Sequence, residues 1–493
     1  MKTGLSLLVG IALALSLFTS SAAGQERSLS LQEAVRMAQE QSFEYKVAFS
    51  RHQSSVWRYR NFRASFLPSL YLDGTIPNYS RAISRITLPN GEDTFVSQNQ
   101  AYSSLNLGIQ QAVALTGGTL SLSSSLNRID VFGNNRQVNY ASTPLSVSYN
   151  QQTIGFNAFK WQKEIEPLRF ESSDRQFVVD MQRIAENAVA YFFDMLSAKM
   201  RLELASQNLA SADTLYRIAT DRLRLGTVTQ SSLLQLRLRA LNARKQLTQD
   251  SVEAVLARQQ FDRYLLLPEG DYELVIPDSV VFYSLTFDEA LQYAQQNSQE
   301  VMDFRLQRLE AEQNLAQTKA ESGLRFGVQA NFGLTNSAQR IGGLLQGMEN
   351  QQQVAVTFSM PILDWGRART QRLQAEADLA VAESEIEQRQ LLLEQEVMLH
   401  TARWNQHKEQ LAVATETRDI ATRNYELEVE RFLRGAITIN DLNAAQSQKD
   451  NAANDYLMAL RTYWELYYTI RRLTLYDFES QEKLVVRDEG AAI

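Results

Sequence analysis

From Asp364 to Arg434 the chain has no proline and a single glycine, Gly366, while Ala, Leu, Glu, Gln and Arg dominate. Such a composition favours helix at every position. At about 1.5 Å per residue it predicts one helix of roughly 105 Å, several times the width of a globular domain. The run is entered through Met360-Pro361-Ile362-Leu363-Asp364-Trp365-Gly366-Arg367, where a period-two segment stops at proline. It reverses at Gly435-Ala436-Ile437-Thr438, and a second helix is expected from about Asn440 to Leu475. Along that return helix Leu442, Ala445, Lys449, Ala452, Tyr456, Ala459, Tyr463, Leu466, Ile470 and Leu473 alternate steps of three and four. This is a coiled-coil seam with one interruption, at Lys449.

The same object occurs earlier in the chain. Tyr216, Arg222, Gly226, Val228 and Thr229 align with Tyr425, Arg431, Gly435, Ile437 and Thr438 at a constant offset of 209 (425 − 216). A seam in phase with the later one runs through Leu233, Leu236, Ala240, Ala243, Leu247, Asp250, Ala254, Ala257, Phe261 and Tyr264. Upstream, Leu29-Ser30-Leu31-Gln32-Glu33-Ala34-Val35 recurs as Leu285-Thr286-Phe287-Asp288-Glu289-Ala290-Leu291, now at an offset of 256 (285 − 29). The halves therefore differ by an insertion in the first. Two hairpins of long helices call for a layered α assembly rather than one compact core. Ser30 with Glu33, and Thr286 with Glu289, have the spacing of capping boxes at the start of short helices.

At the N-terminus Met1-Lys2, an apolar run from Leu5 to Phe18 and small residues from Ser20 to Gly24 read as a secretory signal. Beyond it no stretch approaches the roughly 20 apolar residues of a spanning helix, so any membrane crossing is expected to be made of strands. The chain has no cysteine, which excludes disulfides, cysteine metal sites and a lipidated N-terminal cysteine. A net charge of −7 gives no basis for nucleic-acid binding.

Strand-like alternation follows the first helices at Phe66-Leu67-Pro68-Ser69-Leu70-Tyr71-Leu72-Asp73. It is cleaner at Phe326, Val328, Ala330, Phe332 and Leu334, at Val354, Val356, Phe358 and Met360, and at Leu105, Leu107 and Ile109. One apolar and one polar face fit a half-buried soluble sheet and a membrane barrel around a wet lumen equally. Context favours the barrel, because the strands are joined by polar loops (Asn78 to Asn99, Thr335 to Gln352) and flanked by helices too long for a sandwich. Trp161 and Trp365 both sit where strand gives way to helix, as membrane-interface aromatics do; a tryptophan wedged between helices is the alternative. A few strands cannot close a barrel, and open edges do not persist in lipid, so several chains must pool their strands.

These motifs, with Thr116-Gly117-Gly118 and the two tips, resemble the TolC family of outer-membrane efflux proteins over nearly the whole mature chain. The resemblance implies a mainly α chain with a membrane β-barrel: an internally duplicated, trimeric α/β-barrel with long periplasmic coiled-coil helices. The family's barrel has twelve strands, four per chain. Here alternating segments at Thr119 to Leu126 and Pro144 to Asn150 are extra, and would raise the number to six if they join. The organisation expected is a signal peptide at 1–24, then a first repeat at 25–280 with strands about 69–76 and 102–150 and a tip near 226–229. A second repeat follows at 281–475, with strands about 325–334 and 353–361 and a tip near 435–438, and then a tail at 476–493.

The resemblance also implies function: a passive duct in the outer membrane of a Gram-negative bacterium, extended into the periplasm. Its partners would be outer-membrane lipid, a periplasmic membrane-fusion adaptor and an inner-membrane transporter of the RND or ABC type. Docking would use Gly226, Thr227, Val228 and Thr229 with Gly435, Ala436, Ile437 and Thr438. In the family an acidic ring constricts the tunnel six residues after the second tip glycine, with another acid three further on. Here the first is Asp441, the second is Ala444, and the first repeat has Ser232 in the place of Asp441. Asp441 is equally readable as an acid favouring a helix N-terminus, and Arg222 and Arg431 as latches to carboxylates or as solvated surface groups. No catalytic, cofactor or metal motif is present: His400 and His407 stand a heptad apart, His52 stands alone, and Gly117-Gly118 lacks the following Lys of a phosphate loop. The rival reading is a coiled-coil scaffold, periplasmic or secreted, with no pore.

Overall fold

A computed structural model describes residues 27–486 except 134, 135, 226, 227, 269, 271, 278 and 279. The expected signal peptide and the tip residues Gly226 and Thr227 lie outside the described residues. The duplication is written in helix lengths. In the first half α1 (Leu31–Gln41), α2 (Phe43–Ser65), α3 (Ala158–Arg224) and α4 (Gln230–Leu265) have 11, 23, 67 and 36 residues. In the second, α5 (Phe287–Asn297), α6 (Gln299–Glu321), α7 (Arg367–Leu433) and α8 (Ile439–Thr474) again have 11, 23, 67 and 36. Because every helix keeps its length, the change of offset is confined to the segment between the second and third helix of each half.

That segment holds the strands. β2 (Ser69–Thr87), β3 (Asp93–Val113), β4 (Gly118–Val131) and β5 (Gln137–Gln151) come from the first half, β7 (Arg325–Ala338) and β8 (Glu349–Ser359) from the second. They form one sheet in the order β2-β3-β4-β5-β7-β8, with every neighbouring pair antiparallel. The expectation of about four strands per chain, with six as the alternative, is corrected to six, because the extra hairpin pairs on both sides and joins the sheet. The strands also run through segments read as loops, since β2 continues to Thr87 and β3 begins at Asp93. Beyond Asn78 both faces carry polar side chains, so the apolar/polar contrast fades although the ladder continues.

The described residues divide into two compact units, one within 51–176 and 299–394, the other within 27–50, 177–298 and 395–486. In the first, the sheet is accompanied by helical segments tied through Tyr59 stacked on Phe170 at 4.7 Å, Ser172 donating to Asp303 at 2.6 Å and Lys319 paired with Glu376 at 3.3 Å. In the second, parallel strands β1 (Arg27–Leu29) and β6 (Tyr272–Leu274) pair, α1 packs on α4, and α5 packs on α8. Ser30 caps α1 through the full reciprocal box with Glu33, and the Thr286 hydroxyl accepts the Glu289 N–H at the start of α5.

The core of this second unit is aromatic. Trp404 is fully buried against Phe282, Tyr283 and Tyr463, and its indole N–H donates to the Tyr283 carbonyl at 2.9 Å. Tyr463 is equally enclosed; its hydroxyl donates to the Val281 carbonyl at 2.7 Å, and burial pushes its pKa up to about 12. Every seam position on α4 and α8 is buried or half-buried. The interruption at Lys449 is accommodated by laying its ammonium 4.6 Å over the Tyr425 ring.

His400 in α7 is half-buried, with Nδ1 enclosed and unpartnered, and desolvation holds its pKa below the ordinary imidazole value despite Glu396 nearby. A folded pKa below the unfolded value near 6.5 favours the neutral, folded form. This contribution is full above the unfolded pKa and is lost as the pH falls from there towards the folded pKa. The drop in urea midpoint between pH 7.5 and pH 5.5 should therefore be smaller in His400→Gln than in the parent chain; an equal drop would show that His400 does not contribute.

Candidate functional site

The sheet has two chemically opposite faces, kept in register from strand to strand. Leu70, Ile109, Leu122, Val147 and Phe332 are successive cross-strand partners. The adjacent row reads Ser69, Gln110, Ser121, Ser148, Asn331 and Gln353. Neighbouring residues of a strand point to opposite faces, so one face is an apolar belt and the other a wall of hydroxyls and amides. The belt reaches both edges, with Leu70 and Leu72 on β2 and Val354, Val356 and Phe358 on β8. These side chains are exposed, Leu70 at 70%, Val356 at 65% and Phe358 at 75%. The polar wall is internally bonded, with Ser146 donating to Asn331 at 2.7 Å and the Tyr102 hydroxyl to Asn127 at 2.8 Å. A contiguous exposed apolar face of this extent marks contact with lipid or another chain.

The strands are also staggered. Gln353 shares a row with Ser69, the first residue of β2, yet stands six residues before the end of β8 at Ser359. With about 3.4 Å per residue and about 4.8 Å between strands, six residues over five steps is a slope of about 40°, inside the ~35–45° tilt of closed barrels. Where β8 ends the chain remains apolar and open: Ile362 is 93% and Trp365 89% exposed, with Trp365 at φ +55°. Asp364 completes that turn by accepting the N–H groups of Gly366 and Ala368, which starts α7. Trp161, at the start of α3, is half-buried.

In the other unit the two helix reversals pack on each other. Leu215, Ala219, Leu236 and Leu442 form a buried cluster, joined by Phe432, Ile437 and Ile439. Gly435, at φ +78°, ends α7 in a Schellman turn, with Ala436 N–H bonded to the Arg431 carbonyl at 3.0 Å and Gly435 N–H to the Phe432 carbonyl at 2.9 Å. The next helix starts on Thr438, whose hydroxyl accepts the Asp441 N–H while the Asp441 carboxylate accepts the Thr438 N–H at 2.9 Å and its hydroxyl at 2.7 Å. Those bonds, Thr438 hydroxyl first, hold the Asp441 carboxyl below the usual carboxylate range, with Arg431 adding to them. In the first tip Thr229 caps α4 by accepting the Ser232 N–H at 3.2 Å, so Ser232 takes the position of Asp441 without its charge.

The two arginines of the tips behave differently. Arg222 donates to the backbone carbonyl of Leu433 at 2.8 Å, which ties the first tip to the open carbonyl end of α7. Arg431 pairs with Glu428 at 2.7 Å on its own helix. A bond to a backbone carbonyl leaves no trace in side-chain identity, so sequence alone could not name the partner of Arg222. Gly435, Ala436 and Thr438 are exposed and Ile437 and Val228 half-buried, and the tip surface beside Asp441 is a shallow cleft lined by Asn424, Glu428, Arg431 and Gln448.

Residues 290–474 match the family model described as outer membrane efflux protein. No curated protein matches the sequence. Among solved structures, the CmeC outer membrane channel of Campylobacter jejuni is similar at 15% identity and a TM-score of 0.63, over 90% of this chain and 85% of that one. The outer membrane protein VceC of Vibrio cholerae is similar at 13% identity and a TM-score of 0.61, over 90% and 95%. The open-state MtrE outer membrane channel of Neisseria gonorrhoeae gives 14% and 0.59, over 90% and 88%. At these identities the likeness is one of fold. By sequence residues 290–474 resemble the outer membrane efflux protein family, and the chain as a whole shares the TolC-like fold of such channels.

Proposed function

We propose that the chain is the outer-membrane duct of a tripartite efflux or type I secretion system, working as a homotrimer. The observation that carries this reading is the sheet: six strands with an apolar belt on one face, a wall mostly of uncharged polar side chains on the other, and two open edges. A spanning sheet with unpaired edges is untenable in lipid, so copies must supply each other's edges. The helices support lateral assembly as well. Leu234, Leu238, Leu241, Val252 and Val255 on α4, and Val413, Ile420 and Leu427 on α7, form heptad-spaced stripes that are more than half exposed. Trp365, with Ile362 beside it, anchors the rim of the sheet at the membrane interface, and Trp161 lies in the same rim.

Export is passive in this reading, driven by an inner-membrane transporter reached through a periplasmic adaptor that docks on the paired tips. The adaptor contacts in this reading are the tip residues Gly226 to Thr229 and Gly435 to Thr438. The wall of Ser, Asn and Gln offers hydrogen bonds and little charge, so selectivity falls to the tips, where Asp441 of each copy would form an acidic ring that attracts cations. Arg222 holds the tips together through the Leu433 carbonyl, and Arg431 tempers the acid ring.

Two experiments test the reading. Membranes washed with carbonate should retain the protein until detergent is added, whereas a scaffold without strands in the bilayer would be released by the wash. In planar bilayers Asp441→Asn, which keeps an acceptor for the Thr438 N–H while removing the charge, should weaken block by multivalent cations several-fold. Unchanged block would remove Asp441 from the constriction.

A further inference from the structure

The inserted hairpin is built into the middle of the sheet rather than hung on its edge. β4 pairs with β3 from Gly118 to Val131, and β5 pairs with β7 from Tyr140 to Gln151, so β3 and β7 are kept apart along the height of the belt. The belt crosses the insert without a gap, through Leu122 and Val147, and the polar wall crosses it through Ser121 and Ser148. Both faces of the insert thus have the chemistry of the faces they continue. An accessory hairpin lying against a helix or in solvent would have no reason to keep both patterns in register with its neighbours.

The edges are complementary. Six strands in strict alternation leave β2 and β8 running in opposite directions, so β8 of one copy and β2 of the next meet as an antiparallel pair with all directions preserved around a ring. The stagger of about one residue per strand supplies the tilt that closure needs. Matching the ends of the belt sets Leu70 of one copy beside Val356 and Phe358 of the next.

We infer that the occupant of each open edge is a second copy of this chain, and that the three copies of the proposed duct close a barrel of eighteen strands. The inference rests on the duct reading for the number of copies. Since barrel diameter grows roughly linearly with strand number, the wall is about 1.5 times as wide, and its cross-section about 2 times as large, as that of a twelve-stranded relative. A barrel of this class encloses an open aqueous lumen, which places the narrowest point of the duct away from the sheet.

The test uses the full-length protein in detergent or nanodiscs, and the absence of native cysteine makes engineered pairs unambiguous. Electron cryomicroscopy of the trimer should count eighteen strands. Val147→Cys with Phe332→Cys should form a disulfide within one chain, and Leu70→Cys with Val356→Cys or Phe358→Cys should link chains into a covalent trimer. Twelve strands in a trimeric particle, with Ile109→Cys and Phe332→Cys joining instead, would overturn the inference and leave the duct standing. A particle mass other than that of a trimer, or release by carbonate, would overturn the duct reading and this inference with it.

Discussion

Val356→Arg, on the apolar face of β8, is expected to abolish the folded outer-membrane form, whereas Gln353→Arg on the opposite face of the same strand leaves it assembled. Val356 is 65% exposed and pairs with Val328 in the belt. A charge facing lipid near the bilayer midplane costs about 2–4 kcal/mol per strand position, while lumen-facing changes tune selectivity. In the proposed trimer three copies multiply that cost around a closed ring, which is why the effect should be near total rather than graded. The measurement is the heat-modifiable trimer in outer-membrane fractions, with urea unfolding in lipid vesicles to give the per-chain difference. Equal behaviour of the two variants would mean that the belt does not face lipid.

Trp404→Ala should be the most damaging single truncation outside the sheet. The ring has no exposed surface, touches Phe282, Tyr283 and Tyr463, and donates to the Tyr283 carbonyl. Removing a buried tryptophan costs about 3–5 kcal/mol through lost transfer energy and the cavity left behind, and the Tyr283 carbonyl loses its donor besides. Trp404→Phe retains most of the volume and should recover the larger part of that loss. Chemical denaturation followed by intrinsic fluorescence of the remaining tryptophans reads both. A loss under about 1 kcal/mol in Trp404→Ala would show that the aromatic cluster tolerates a gap of this size, contrary to close packing.

Much of this was legible in the chain because the periodicities are long. The offset of 209 between Tyr216 and Tyr425 survives in helices of identical length, and the three-four seam from Leu442 to Leu473 is the buried line of α8. The belt residues Leu105, Leu107, Ile109 and Val354, Val356, Phe358 were equally plain, since an apolar face set against a polar one enforces a strict alternation. Where water bathes both faces the contrast disappears, and Asn78 to Asn99 reads as a loop although most of it is strand. The inserted hairpin was ambiguous for a related reason: Ser123, Ser124 and Ser125 interrupt the alternation of β4, and β5 carries a bulge between Ser142 and Leu145. In the tips, Asp441 was readable as an acid at a helix N-terminus, but its reciprocal capping box with Thr438 appeared only in the structure, with Ser232 as its uncharged twin. The bond from Arg222 to Leu433 could not be foreseen, because it is made to a main-chain atom of a segment 211 residues away.

The unequal halves carry a consequence for how such a protein changes over time. Four strands stand between α2 and α3, two between α6 and α7, and the flanking helices match residue for residue in length. Adding one strand would reverse the direction of every strand after it and send the following helix out of the opposite end of the sheet. Adding a whole hairpin returns the chain to the side it left. Bore and reach are therefore separable inheritances in this architecture, the first altered by doubling a ribbon, the second by lengthening rods.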